Sequence, residues 1–183
     1  MNIQRLAALL LLALPCLSYA DDCQLTLSQP VVDYHQMRRD SIVTSQQSWN
    51  KMPGKDINVS VYCPEKQQMA TLLQGASGQK GRFQFGQNGG VAIKVSNLTL
   101  DGKSYNVGKT TDQVNFTPDT DNGSSLYIRN NEAVVAVENG RVPSGQQMNF
   151  TVTIFPVLND SAFNHISDQT ALETDLTWQL LKK

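Results

Sequence analysis

The chain has 183 residues, with 15 Lys and Arg against 16 Asp and Glu, and a formal net charge of −1. Such a balance gives the protein no overall basic field to attract nucleic acid, so we expect no nucleic-acid partner. Beyond the N-terminus, no run of apolar residues is long enough for a transmembrane helix, which disfavours an integral membrane protein.

The first twenty residues have the pattern of a secretory signal peptide. Arg5 gives a positive n-region, the apolar run LAALLLLALP follows, and residues 18–20 supply a small-x-small cleavage pattern. Cleavage after Ala20 leaves 163 residues (183 − 20), the length of one domain with a core of its own. We therefore predict an exported protein with a signal peptide at 1–20 and a single domain at 21–183.

Two cysteines, Cys23 and Cys63, remain after this cleavage. An even pair in an exported protein is expected to form a disulfide. Closing a loop of about 40 residues stabilises a fold by roughly 4 kcal/mol. Two cysteines this far apart, with no histidine beside them, lack the spacing of a zinc site, so no metal is expected.

The rest of the sequence consists mainly of short stretches in which apolar and polar residues alternate, which is typical of β-strands. In chain order these predicted strands cover residues 24–27, 57–63, 69–73, 82–85, 91–95 with a continuation through 98–100, 105–107, 125–128, 133–137 and 148–155. The Asp101-Gly102 pair predicts a hairpin turn that joins residues 98–100 to 105–107, and Asn139-Gly140 predicts another turn. Many short strands in one domain indicate a β-sandwich or barrel.

For two segments the sequence pattern allows more than one interpretation. Residues 41–56 are polar and lie between the first two predicted strands, where they form either a binding loop or a connection. Near the C-terminus, Leu172, Leu176 and Leu180 share one face of a helix, but they also share one face of a strand with Thr174 and Trp178. Three threonines and a tryptophan in this stretch favour the strand.

The chain offers little for catalysis. It has two histidines, His35 and His165, and no Gly-x-Ser-x-Gly motif around a candidate nucleophile. A copper or zinc site needs three or four His or Cys ligands. The glycines of residues 86–90 lie between two predicted strands, without the following helix that a phosphate site needs. We predict no enzyme activity, no catalytic or metal-binding residues and no cofactor.

Four features together resemble the pilin subunits of bacterial chaperone–usher fimbriae. Cys23 and Cys63 are similar in position to that family's disulfide, and residues 91–108 are similar to its central strand-and-turn block. Residues 142–155 are similar to a late strand, and residues 172–180 to the C-terminal strand. The resemblance implies an all-β, incomplete immunoglobulin-like sandwich with one disulfide, which lacks its last strand.

The resemblance also implies partners and a location. In this family a periplasmic chaperone lends the missing strand, an outer-membrane usher exports the subunit, and a neighbouring subunit then donates its own strand. By match to the C-terminal motif, Leu176, Trp178 and Leu180 would line the groove that accepts this strand. The expected location is the fimbria at the cell surface, reached through the periplasm.

The segment before the first cysteine bears on the position in the fibre. After the predicted cleavage only Asp21 and Asp22 precede Cys23, too few to serve as a donor strand. A subunit that accepts but does not donate would sit at the tip or be a minor subunit, with an adhesive role toward a host receptor. The alternative is a self-sufficient secreted β-sandwich that binds carbohydrate, with aromatic stacking surfaces available at Trp49, Tyr62, Tyr105, Tyr127 and Trp178.

Overall fold

The computed structural model describes residues 22–87, 89–119, 123–163 and 172–183. The predicted signal peptide lies outside these residues. The strands within them are β1 Gln24–Leu27, β2 Thr44–Gln46, β3 Trp49–Lys51, β4 Lys55–Gln67, β5 Met69–Gly75, β6 Phe83–Gln84, β7 Gly89–Leu100, β8 Lys103–Ser104, β9 Asn106–Thr110, β10 Ser125–Ile128, β11 Glu132–Val137, β12 Gly145–Asn159 and β13 Leu176–Lys182. The described helical segments are short 3-10 turns at Arg39–Ser41, Gln79–Gly81 and Asp160–Phe163, and none of them has the length or apolar character to cross a membrane.

The first sheet is built around β12, the longest strand. Its residues alternate between buried and half-buried from Met148 to Phe155, which places one face in the core and the other outside. One edge of β12 pairs antiparallel with β4 and then with β3, and the other edge pairs with β7. β1 and β2 extend the sheet beyond β4 and β3, while β6, β8 and β10 pair with β7. The period-two pattern at 148–155 thus marks the centre of the sheet.

The second sheet has the strand order β13-β5-β11-β9, and all its neighbours are antiparallel. Apolar side chains from both sheets form the main core, among them Val59 and Phe150 from the first sheet and Leu73 and Val134 from the second. The two sheets therefore form a sandwich, and the predicted all-β class is confirmed. The C-terminal segment is a strand at Leu176–Lys182, as the threonines and tryptophan indicate.

A smaller apolar cluster lies on the other face of the second sheet. There, Leu72 and Val135 pack with Phe116, which comes from the loop after β9. The loop is held by Asp112, whose carboxylate accepts hydrogen bonds from the backbone N–H groups of Asn115 and Val114. These hydrogen bonds, led by that from Asn115, hold the pKa of Asp112 down at about 2. Because the apolar cluster covers the outer face of the second sheet, strand β5 is buried on both faces.

The predicted hairpin after β7 is correct in its turn and wrong in its second strand. Asp101 and Gly102 both have positive φ, 49° and 79°, as a tight hairpin turn requires. The strand that returns along β7 is Lys103–Ser104, and the chain then crosses to the second sheet, where β9 pairs with β11. The crossing buries Val107 in the core between the sheets, which a longer hairpin arm would not do.

Residues 41–56, which had no assignment from sequence, contain the β2–β3 hairpin. Its turn residues Gln47 and Ser48 have φ values of 48° and 63°, without the glycine that usually marks such a turn. Asn50 anchors the hairpin, because its buried side chain donates to Asp160 Oδ1 at 2.7 Å and accepts from Ser45 Oγ at 2.6 Å. The short strand β2 exposes all its side chains, so it carries no apolar alternation.

We predict that Thr71→Val raises the free energy of unfolding by about 1 kcal/mol. Thr71 is fully buried in β5, and its hydroxyl has no hydrogen-bond partner among the described residues. Valine has the same shape and removes the cost of burying an unpaired hydroxyl. Urea unfolding measures the change. Thr110→Val is the matched control, because the equally buried Thr110 hydroxyl donates to the Thr117 carbonyl at 2.6 Å, so its loss should destabilise. Destabilisation by both changes would contradict the prediction.

Candidate functional site

The sandwich has one side at which both sheets end in an edge strand. β1 pairs with β4 at the end of the first sheet, and β13 pairs with β5 at the end of the second. In the described part of the chain, neither strand has a partner along its other edge. The two strands approach each other, and the Lys182 ammonium lies 3.8 Å from the Asp22 carboxylate just before β1. Unpaired N–H and C=O groups therefore border this side of the molecule on both sheets.

Apolar side chains from both edge strands point into this open side. On β13, Leu176, Trp178 and Leu180 pack against the main core, while the residues between them are exposed. On β1, Leu25 and Leu27 do the same. We call these five residues the groove. All five are only partly buried, whereas core residues on the neighbouring strands β4 and β5 are almost completely buried.

The disulfide predicted between Cys23 and Cys63 is present. Cys23 directly precedes β1, and Cys63 lies in β4 with no exposed surface. Gln67 donates a hydrogen bond from Nε2 to the sulfur of Cys23 at 2.9 Å. The disulfide thus fastens the start of the four-residue β1 to the interior of the sheet and holds that wall of the groove in place.

The segment after β1 continues along the same side. Val32, Tyr34 and Met37 are partly buried against the main core, although they form no strand. The Tyr34 hydroxyl donates a hydrogen bond to the carbonyl of Ile154. Burial, the largest effect, raises the pKa of Tyr34 to about 12, so the hydroxyl remains a donor at neutral pH. In the sequence, only the alternation of Val32 and Tyr34 indicates that this segment packs on the core beside the groove.

The other candidate residues from sequence lie apart from the groove or outside the description. His35 is exposed, with Nδ1 3.0 Å from an Asp33 carboxylate oxygen, and His165 lies outside the described residues. No group of three His, Cys, Asp or Glu side chains within the described ranges is placed to hold a metal ion. Tyr62 and Tyr127 are about half exposed, at 52% and 50%. Tyr105 packs against the main core, and Trp178 is the exception among these candidates, because it belongs to the groove.

No family model matches the chain, and no curated protein matches it. Among solved structures it is similar to the crystal structure of the P pilus rod subunit PapA, with a TM-score of 0.42 and 12% sequence identity over 88% of this chain and 99% of that one.

Proposed function

We propose that this protein is a non-enzymatic structural subunit of a bacterial chaperone–usher fimbria and that a strand from a partner protein completes its fold. The groove between β1 and β13 is the observation that carries the proposal. Its two walls belong to different sheets, and both walls end in unpaired backbone edges within the described residues. The sequence resemblance to fimbrial subunits adds the order of partners: a periplasmic chaperone, an outer-membrane usher and then neighbouring subunits.

The geometry suits β-strand addition. A strand placed between β1 and β13 would pair its backbone with the open edges and fill the groove with every second side chain. Leu176, Trp178 and Leu180 are two residues apart, so they select a partner strand with apolar side chains at the same spacing. The resulting fold is an immunoglobulin-like sandwich whose last strand comes from outside the chain.

We further propose a tip or minor position in the fimbria, with an adhesive role toward a host receptor. Signal-peptide cleavage after Ala20 would leave Asp21 and Asp22 ahead of Cys23. Because Cys23 is fixed to β4 by the disulfide, residues before it would have to supply any strand for a neighbour. Two residues cannot span a groove lined by the side chains of residues 176–180, so such a subunit accepts a strand without donating one.

Expression in the periplasm tests the proposal. We expect the mature chain alone to aggregate or to unfold at low temperature, and a complex with the cognate fimbrial chaperone to be soluble and monodisperse. Thermal unfolding and size-exclusion chromatography of both samples measure the difference. A chaperone variant with polar residues in its donor strand is the control and should not rescue the chain. A lone chain that is monomeric and unfolds cooperatively at high temperature would contradict strand addition and favour the self-sufficient carbohydrate-binding sandwich.

A further inference from the structure

Cationic side chains stacked on aromatic rings are concentrated at one end of the molecule. At this end, the Lys51 ammonium lies 3.8 Å from the centre of the Phe155 ring. The Arg82 guanidinium and the Lys80 ammonium lie 4.6 Å and 6.0 Å from the centre of the Trp49 ring. We call these five residues the hairpin patch, because Trp49 and Lys51 belong to the β2–β3 hairpin.

The register of the sheet places the hairpin patch on the outer face of the first sheet. Lys51 pairs with Val157 on β12, so it lies on the same face as Phe155. Val157 in turn pairs with Gly90 on β7. A side chain at Gly90 would meet the Arg82 methylenes at 3.0 Å. The missing side chain therefore leaves room for Arg82 to lie across the strands toward the hairpin.

The cations of the hairpin patch have no anionic partner among the described residues. Lys51, Lys80 and Arg82 form no ion pair with any described carboxylate. The Nη1 atom of Arg82 is buried and has no hydrogen-bond partner within the described ranges. A buried guanidinium N–H without an acceptor is costly, so a shift of the Arg82 side chain that brings Nη1 to a carboxylate or sulfate oxygen at the surface is favourable. Since the chain as a whole has a net charge of −1, this concentration of positive charge is local.

The outer face beside the hairpin patch is polar and partly aromatic. Tyr127 pairs with Lys94, Lys94 with Thr153 and Thr153 with Asp56, so the four residues form a row across the strands that carries one charge of each sign. The next row contains Asn58 and Thr151, whose side chains are 3.3 Å apart. Amide and hydroxyl groups of this kind donate to and accept from sugar hydroxyls, and exposed tyrosine rings pack against sugar rings.

We propose that the hairpin patch and the adjoining outer face of the first sheet bind an acidic polysaccharide. Arg82, Lys80 and Lys51 contact its carboxylate or sulfate groups, and its sugar rings lie across the rows of polar side chains toward Tyr127. The charge of the patch selects an anionic chain, and the amide and hydroxyl groups of the rows favour a sugar over other polyanions. The site lies on the outer face of the first sheet, whereas the groove side chains pack on the core between the sheets, so binding does not depend on strand addition.

Binding to defined polysaccharides tests this proposal. The probes are heparin, which is sulfated, hyaluronate, which is carboxylated, and neutral dextran, measured with whichever soluble form of the full mature chain is obtained, alone or in its chaperone complex. We expect binding to heparin, hyaluronate or both, which identifies the preferred anionic group, and none to dextran. The Lys80→Gln/Arg82→Gln variant should bind about a hundredfold more weakly, which is about tenfold for each of the two charge-assisted contacts that it removes.

Two controls separate the site from general attraction of charge. Lys103→Gln removes a cation that also stacks on an aromatic ring, Tyr105, at the opposite end of β7, and it should leave affinity unchanged. Lys80→Gln alone affects an exposed residue and keeps the test valid if the double variant fails to fold. The proposal is overturned by equal affinity for single-stranded DNA, by equal losses in the Lys80 and Lys103 variants, or by no binding to either acidic polysaccharide.

Discussion

A strand fused to the C-terminus and designed to fill the groove should raise the melting temperature by about 15 °C. Each apolar side chain that becomes fully buried contributes about 1.5–3 kcal/mol. Three such side chains, placed opposite Leu176, Trp178 and Leu180, act together with the fuller burial of the five groove residues and with new backbone hydrogen bonds of about 1 kcal/mol each. These gains should exceed the entropy cost of ordering the new strand by about 5 kcal/mol. Differential scanning calorimetry of the fused and unfused chains measures the change.

The end of the chain favours this design. Lys183 exchanges two backbone hydrogen bonds with Gln68, at 2.9 and 3.0 Å, so β-pairing continues to the last residue. An Asn-Gly turn can then follow directly and send the new strand back along the open edge of β13. The new strand would lie between β13 and β1, where it covers Leu25 and Leu27 as well.

A fusion of the same composition, shifted by one residue, is the control. Because side chains alternate along a strand, the shift points the polar residues into the groove and the apolar residues toward water. We expect this fusion to melt at or below the temperature of the unfused chain. If both fusions raise the melting temperature equally, the gain comes from the added sequence itself and the groove does not select a strand.

Much of the fold was predictable because the relevant side chains alternate strictly. In strand β12 buried and half-buried residues alternate, because one face of the strand lies in the core and the other faces outward. The disulfide could be expected from an even pair of cysteines after a sequence with the pattern of a secretory signal peptide. In contrast, the β2–β3 hairpin has neither apolar alternation nor a glycine turn. It is held in place by the hydrogen bond between Asn50 and Asp160, which are 110 residues apart, and no local pattern reveals such a contact.

The groove was predictable only in part, for a related reason. Leu176, Trp178 and Leu180 stand out by their spacing, but a pattern in one strand does not show which strand lies across from it. The opposite wall, Leu25 and Leu27, belongs to a strand of four residues, and its position follows from pairing with β4. Likewise, the hairpin patch brings residues 80, 82 and 155 to the hairpin residues 49 and 51 through tertiary contacts, which no local sequence pattern encodes.

Removing the disulfide should lower the free energy of unfolding by about 4 kcal/mol. Cys23 and Cys63 are 40 residues apart, and the entropy that the crosslink removes from the unfolded chain grows with the logarithm of the loop length. The Cys23→Ala/Cys63→Ala variant shows the effect, with denaturant unfolding as the measurement. A Cys23→Ser/Cys63→Ser variant keeps an atom at the γ position and controls for poorer packing around the fully buried Cys63, although its buried hydroxyl adds a cost of its own. A decrease below 1 kcal/mol in both variants would contradict the prediction.

The disulfide and the groove should also be coupled, because β1 is one wall of the groove. β1 pairs along four residues of β4 and, within the described ranges, with no other strand, so without the disulfide it detaches more readily than the rest of the sheet. The stabilisation from the fused strand should therefore fall by at least about half in the Cys23→Ala/Cys63→Ala background, a coupling of the size found between contacting sites. Four proteins complete this cycle: the chain and its fusion, each with and without the cysteines. Equal stabilisation in both backgrounds would show that the new strand binds along β13 alone and that β1 is not part of the acceptor site.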